Sequence, residues 1–136
     1  MTDVEQLPVF VYGTLRRGQK NYPCYLKGRT LRERSAAVCG HLYFVDDGGY
    51  PYLTPGKGKV CGEMMELLPE QYEKVLRKLD ELEEYDPLDE KDSVYLRRRT
   101  VAVLEHGERV AVWAYYWNRP EISGRRIRSG DFTLHA

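Results

Sequence analysis

The chain has 136 residues, 42% of them apolar and 31% charged, with 21 basic side chains against 21 acidic ones. That length predicts a single domain over residues 1–136 with room for a core, and the balanced charge supplies no overall field to draw the chain onto nucleic acid or an acidic membrane. Cys24, Cys39 and Cys61 are odd in number and contain no C-x-x-C pair, so neither a disulfide framework nor a zinc site is encoded, and no apolar run approaches the roughly 18 residues of a membrane span. The acidic, polar start Met1 to Gln6 lacks the basic-then-apolar order of a secretory leader; the expected location is a reducing cytoplasm.

In chain order, Val9 to Tyr12 is a short apolar, β-branched and aromatic stretch that reads as a core strand. It runs into Gly13, which has no Cβ and takes dihedrals closed to other residues. The amides of Gly13, Thr14 and Leu15 are placed either in a plain tight turn or in a nest of N–H groups converging on a carboxylate. Arg16 to Arg29 is a basic, glycine-bearing connector with a short helical turn over Asn21 to Leu26. Ala36 to Val45 reads as a strand interrupted at Gly40, and Asp46-Asp47-Gly48-Gly49 as a tight turn. Tyr50 to Thr54 and Lys59 to Leu67 give two more strands around a turn at Pro55-Gly56-Lys57-Gly58.

Pro69 and Glu70 open the main helix, because a missing N–H costs nothing at the first helical position and a carboxylate favours the positive end of the dipole. The helix is expected to end near Tyr85, before Pro87. Val94 to Glu105 and Arg109 to Asn118 form a hairpin about His106-Gly107-Glu108, and Arg119 to Ala136 is an extended cover strand or loop. The pattern is α+β.

One carboxylate on the helix is out of place. At ~100° per residue, Tyr72, Val75, Leu76, Leu79 and Leu82 form an apolar stripe, and Glu83 falls within it while Glu81 points to the opposite side. Either Glu83 frays outward or pairs with a core arginine, or it faces a cavity, where burial of an unpaired charge raises its pKa. Tyr12, Tyr115 and Tyr116 are candidate cavity walls, though strand aromatics also serve as plain packing. His41, His106 and His135 have no metal-ligand spacing, and no G-x-S-x-G elbow is present. The basic run Arg125-Arg126-x-Arg128 reads as solvated surface in preference to a nucleic-acid site.

The run Tyr12-Gly13-Thr14-Leu15 resembles the Tyr-Gly-(Ser/Thr)-Leu signature of the gamma-glutamylcyclotransferase-like superfamily. Further segments agree in order: Tyr50-Pro51-Tyr52-Leu53, Val60-Cys61-Gly62-Glu63-Met64, Leu79 to Pro87, Tyr95-Leu96-Arg97 and Ser129-Gly130-Asp131-Phe132. The resemblance implies a small mixed β-barrel with flanking helices. It also implies release of 5-oxoproline and a free amine or amino acid from a small γ-glutamyl substrate, without cofactor or metal. Glu83 would then be the acid/base residue, the Gly13 to Leu15 amides would hold the substrate α-carboxylate, and Arg97 would pair with Glu83 or steady the loop. The short length looks closer to the branch acting on γ-glutamyl-amines. Glu84 departs from the glycine usual at its position, which leaves a non-catalytic carboxylate-binding module as the rival reading. No motif specifies the leaving amine or the oligomeric state.

Overall fold

The short first strand β1 (Val9–Val11) is buried on both faces, and the other strands are arranged to cover it. The computed structural model describes residues 6–45, 50–122 and 124–134; the turn expected at Asp46 to Gly49, most of the acidic start and His135 lie outside these. β1 runs antiparallel to β3 (Tyr50–Leu67), with Phe10 opposite Met64, and parallel to β5 (Arg109–Trp117), with Val9 beside Trp113. β5 pairs with β4 (Tyr95–Leu104), β4 with β2 (Thr30–Val45), and β2 returns to β3, closing a mixed barrel. Closure removes the open edges that a sheet of these strands would otherwise present. A two-residue strand, β6 (Arg125–Arg126), adds to β2 at Tyr43 and Phe44, so the tail is cover as expected.

Side-chain alternation along the strands divides the apolar residues into two sets. Phe10, Leu42, Leu53, Val60, Met64 and Val112 fill the barrel. Val9, Val11, Tyr52, Met65 and Tyr115 face outward and are covered by the main helix α2 (Tyr72–Leu82) through Tyr72, Val75 and Leu79. Burying Leu79 completely contributes on the order of 2 kcal/mol to seating α2. A helical turn, α1 (Tyr22–Tyr25), lies in the connector where it was expected, and α2 is led in by a 3-10 turn at Pro69–Gln71.

Three boundaries differ from the sequence reading. β2 begins at Thr30, earlier than Ala36, because its polar first residues are held by pairing, Arg34 opposite Met64, and by the Arg32–Glu66 ion pair at 2.8 Å. β3 is one strand, and Pro55 to Gly58 is no turn. The register passes from Cys39 opposite Lys59 to His41 opposite Thr54, so those four residues bulge against the single residue Gly40, whose φ of +154° suits glycine. A Cβ on Gly56 or Gly58 would strike the His41 ring. The third difference is the end of α2, at Leu82 and not near Tyr85. Among the described residues no helix is long and apolar enough to cross a membrane.

Candidate active site

β1 delivers its C-terminal end to a cavity of about 260 Å³ between the following loop and the end of α2. The loop is folded on itself by hydrogen bonds from Arg16 N–H to the Gly13 carbonyl (3.0 Å) and from Asn21 N–H to the Thr14 carbonyl (2.9 Å). The Asn21 amide also donates to Thr14 Oγ1 at 2.9 Å. Among the described residues no protein acceptor takes the amide hydrogens of Gly13, Thr14 or Leu15. Three orphan donors at the edge of a cavity form the concavity that an anion fills.

The loop is anchored from behind. Arg16 reaches Glu63 at 2.7 Å and Asp131 at 2.8 Å, and the Arg17 N–H donates to Glu63 Oε1 at 3.0 Å. Glu63 comes from β3, and Asp131 is brought over by the tail, whose Gly130 carbonyl accepts the Cys61 N–H at 2.7 Å. Two sequence segments far apart in the chain thus converge on one guanidinium. Gly13 owes its lack of a side chain to packing rather than to an unusual dihedral: its φ is not positive, and a Cβ there would lie 2.5 Å from Pro51 Cγ.

The facing wall is the end of α2. The Glu84 N–H bonds the Glu81 carbonyl (3.2 Å) and the Tyr85 N–H bonds the Asp80 carbonyl (2.9 Å), a Schellman closure with Glu84 at the left-handed position, φ +52°. Glycine is the usual occupant there, and a side chain costs roughly 1 kcal/mol. Glu83 caps the helix and lines the cavity, part-buried, with no hydrogen bond or ion pair to its carboxylate among the described residues. Burial first, and the neighbouring Glu84 carboxylate second, push its pKa up from 4.5 to about 7.

Arg97 is not brought to the cavity and does not pair with Glu83. Its guanidinium is engaged by Asp80, at 2.9 Å from Oδ1 and 3.3 Å from Oδ2, and lies over the Trp113 ring at 4.7 Å. Asp80 also accepts the Tyr115 hydroxyl at 2.6 Å, while the Tyr115 carbonyl accepts the Tyr12 hydroxyl at 2.8 Å. Arg97 therefore bears on the cavity only through the tyrosine wall. Tyr116 belongs to the barrel-filling set and is absent from the cavity.

Tyr12, Gly13, Thr14, Leu15, Glu83 and Tyr115 are brought together as expected. Lys20, Asn21, Tyr50 and Tyr95 line the same space without having been singled out. Tyr50 and Tyr95 each open one of the quoted segments, which was the available signal; Lys20 and Asn21 carried none. Burial, with the Glu83 charge nearby, raises the Tyr95 phenol, so it stays a neutral donor. Among the described residues it has no hydrogen-bond partner. Nor do the described residues contain a cluster of three or more His, Cys, Asp or Glu side chains able to hold a metal ion.

A family model described as gamma-glutamyl cyclotransferase, AIG2-like, matches residues 9–134. The gamma-L-glutamyl-butirosin B gamma-glutamyl cyclotransferase of Niallia circulans is 40% identical over 115 residues, 83% of this chain and 68% of that one. Among solved structures, an uncharacterised protein of Pyrococcus horikoshii shares 30% identity at a TM-score of 0.60, over 93% of this chain and 89% of that one. A mouse AIG2-like protein shares 30% identity at a TM-score of 0.61, over 81% of this chain and 76% of that one.

Proposed function

The chain belongs to the gamma-glutamyl cyclotransferase, AIG2-like family, and we propose that it releases 5-oxoproline and a free amine from a γ-glutamyl amide, with Glu83 as the proton carrier. The observation that carries this reading is a carboxylate without a partner, facing a cavity, with a pKa of about 7. A group balanced there both accepts and returns a proton at neutral pH.

The substrate supplies its own nucleophile. Its α-amine attacks its γ-carbonyl carbon, the new C–N bond closes a five-membered lactam, and the old C–N bond to the leaving nitrogen breaks. The α-ammonium sheds two protons in becoming the lactam N–H: Glu83 carries the first to the departing nitrogen and, once the C–N bond has broken, the second to the same nitrogen, which leaves as an ammonium, so Glu83 ends as it began. Tethered attack of this kind carries effective molarities on the order of 10⁵ M when the ends are aligned, and alignment is what remains for the protein. The free amides of Gly13 to Leu15 suit the α-carboxylate. Tyr12 and Tyr115 limit the space in which the chain can uncurl, with Arg97 holding Asp80 and Asp80 holding Tyr115. A soluble, cytoplasmic setting would keep the three cysteines reduced.

The test is incubation with a panel of γ-glutamyl conjugates and detection of 5-oxoproline by mass spectrometry, with and without EDTA. Release from γ-linked but not α-linked compounds, undiminished by chelation and abolished in Glu83→Gln, is the expected result. Turnover in Glu83→Gln within a few-fold of wild type would remove Glu83 from the mechanism. Binding of 5-oxoproline with no turnover of any conjugate would establish a carboxylate-binding module instead.

A further inference from the structure

Ring closure creates a charge that neither Glu83 nor the loop amides can meet. When the α-amine nitrogen bonds to the γ-carbonyl carbon, the carbonyl π pair moves onto the oxygen, and that oxyanion is best held by a donor already in place. Glu83 is engaged with the protons on nitrogen, and the Gly13 to Leu15 amides suit the α-carboxylate at the other end of the curled substrate.

Four tyrosines line the cavity, Tyr12, Tyr50, Tyr95 and Tyr115. Two have given their hydroxyl hydrogens to the protein, Tyr12 to the Tyr115 carbonyl and Tyr115 to Asp80. Tyr95 has not. It opens β4, whose approach is fixed by the Val94 N–H on the Glu84 carbonyl at 3.0 Å, so the strand begins against the residue next to Glu83. The side chain is only 7% exposed. Its ring meets Trp117 edge-on at 5.5 Å between centroids, and Trp117 is stacked on Tyr52 at 4.4 Å, so packing and not the hydroxyl holds it in place. The hydroxyl has no hydrogen-bond partner among the described residues, yet it is not sealed in: it opens on the cavity. After burial, the Glu83 charge is the strongest influence raising this phenol, which keeps it protonated and sets the two groups within reach of one substrate.

We propose that Tyr95 is a further catalytic residue, whose hydroxyl donates to the γ-carbonyl oxygen and holds the negative charge that gathers there as the ring closes. This rests on the reaction proposed above. The departing nitrogen that Glu83 protonates and the γ-carbonyl oxygen sit on the same carbon, so a donor beside Glu83 meets that oxygen. Tyr95 keeps its proton throughout. The hydrogen bond strengthens as the electron pair arrives on oxygen and relaxes when the pair returns, rebuilding the carbonyl as the bond to the departing nitrogen breaks. The same oxygen becomes the lactam oxygen of 5-oxoproline, so the bond persists in the product complex.

The experiment compares wild type and Tyr95→Phe on the γ-glutamyl conjugate that wild type turns over fastest in the panel above. The variant keeps the ring on Trp117 and removes only an oxygen that no protein group holds, so it should melt with wild type. Its kcat should fall on the order of 10²-fold, as for loss of one oxyanion donor, with KM changed by less than about threefold. Infrared spectra of bound 5-oxoproline, isotope-labelled at the lactam carbonyl carbon, give a readout that packing alone would not move. A hydrogen bond weakens the C=O bond, so the band should lie at higher frequency in Tyr95→Phe than in wild type. A kcat within about threefold of wild type, or the same band in both proteins, would overturn the role of Tyr95 and leave the reaction standing. Release of 5-oxoproline by wild type from no conjugate would overturn the reaction and this inference together.

Discussion

Removing the Glu83 charge should make the protein more stable while it makes the enzyme inactive. The carboxyl is raised from 4.5 to about 7 in the folded state, and at ~1.4 kcal/mol per tenfold change in proton affinity its ionisation opposes folding by about 3 kcal/mol once complete. The direction follows from proton counting. Below pH 4.5 both states hold the proton. Between 4.5 and 7 the unfolded chain has released it and the folded chain keeps it, so stability falls as pH rises, and above 7 the loss is full. Glutamine escapes this cost but brings an amide with unmade hydrogen bonds, which returns about 1 kcal/mol of it. The net gain for Glu83→Gln at pH 8 is therefore about 2 kcal/mol, or roughly 5–10 °C in melting temperature for a domain of this size.

The assay is thermal denaturation of wild type and Glu83→Gln from pH 4 to pH 8. The variant should melt higher at pH 8, with the gap closing as pH falls below 7 and reversing slightly near 4, where only the cost of the amide remains. A variant that melts lower at pH 8, with a deficit that vanishes on acidification, would show that a counter-charge holds Glu83 ionised. The raised-pKa reasoning would then be wrong. The Arg97–Asp80 pair makes Arg97 unavailable for that part.

Gly13→Ala should drive a methyl group into the Pro51 ring, lowering stability by about 1–3 kcal/mol and weakening 5-oxoproline binding; melting and calorimetric titration check both, and a variant indistinguishable from wild type would refute the packing account. Arg16→Met should leave Glu63 and Asp131 facing each other without their shared cation, costing about 2 kcal/mol, less than a fully buried pair. It should raise KM more than it lowers kcat; the reverse pattern would place Arg16 in the chemistry and not behind the loop.

What the sequence made legible follows from how local each signal is. β1 and the β4–β5 hairpin rest on apolar alternation and a Gly-containing turn, each within a few residues, and these stand, whereas the proline expected to open the main helix opens a 3-10 turn at Pro69–Gln71 and α2 itself begins at Tyr72. The opening of β2 was missed because Thr30 to Ser35 is mostly polar; only its partner strand makes it a strand. Pro55-Gly56-Lys57-Gly58 has turn chemistry, yet in the fold it serves as a bulge around His41, which no window of sequence contains.

The site divides in the same way. Glu83 was legible because a helix converts spacing into direction, and a carboxylate on the covered face has few places to go. Arg97 was misplaced because an arginine on a strand says nothing about which carboxylate it meets. Asp80, three residues before Glu83 on the same helix, has its carboxylate within 2.9 Å of the Arg97 guanidinium, and that choice matters chemically. An arginine beside Glu83 would hold its carboxylate ionised and leave it a poor proton carrier near neutrality. With Asp80 absorbing the charge, no cation pairs with the Glu83 carboxylate among the described residues, and burial with Glu84 beside it raises its pKa. The cation for which pairing with Glu83 was one of two expected roles, the other being to steady the loop, is thus held one turn away by Asp80, and Asp80→Asn, by releasing Arg97, is the change that would bring the two sites into conflict.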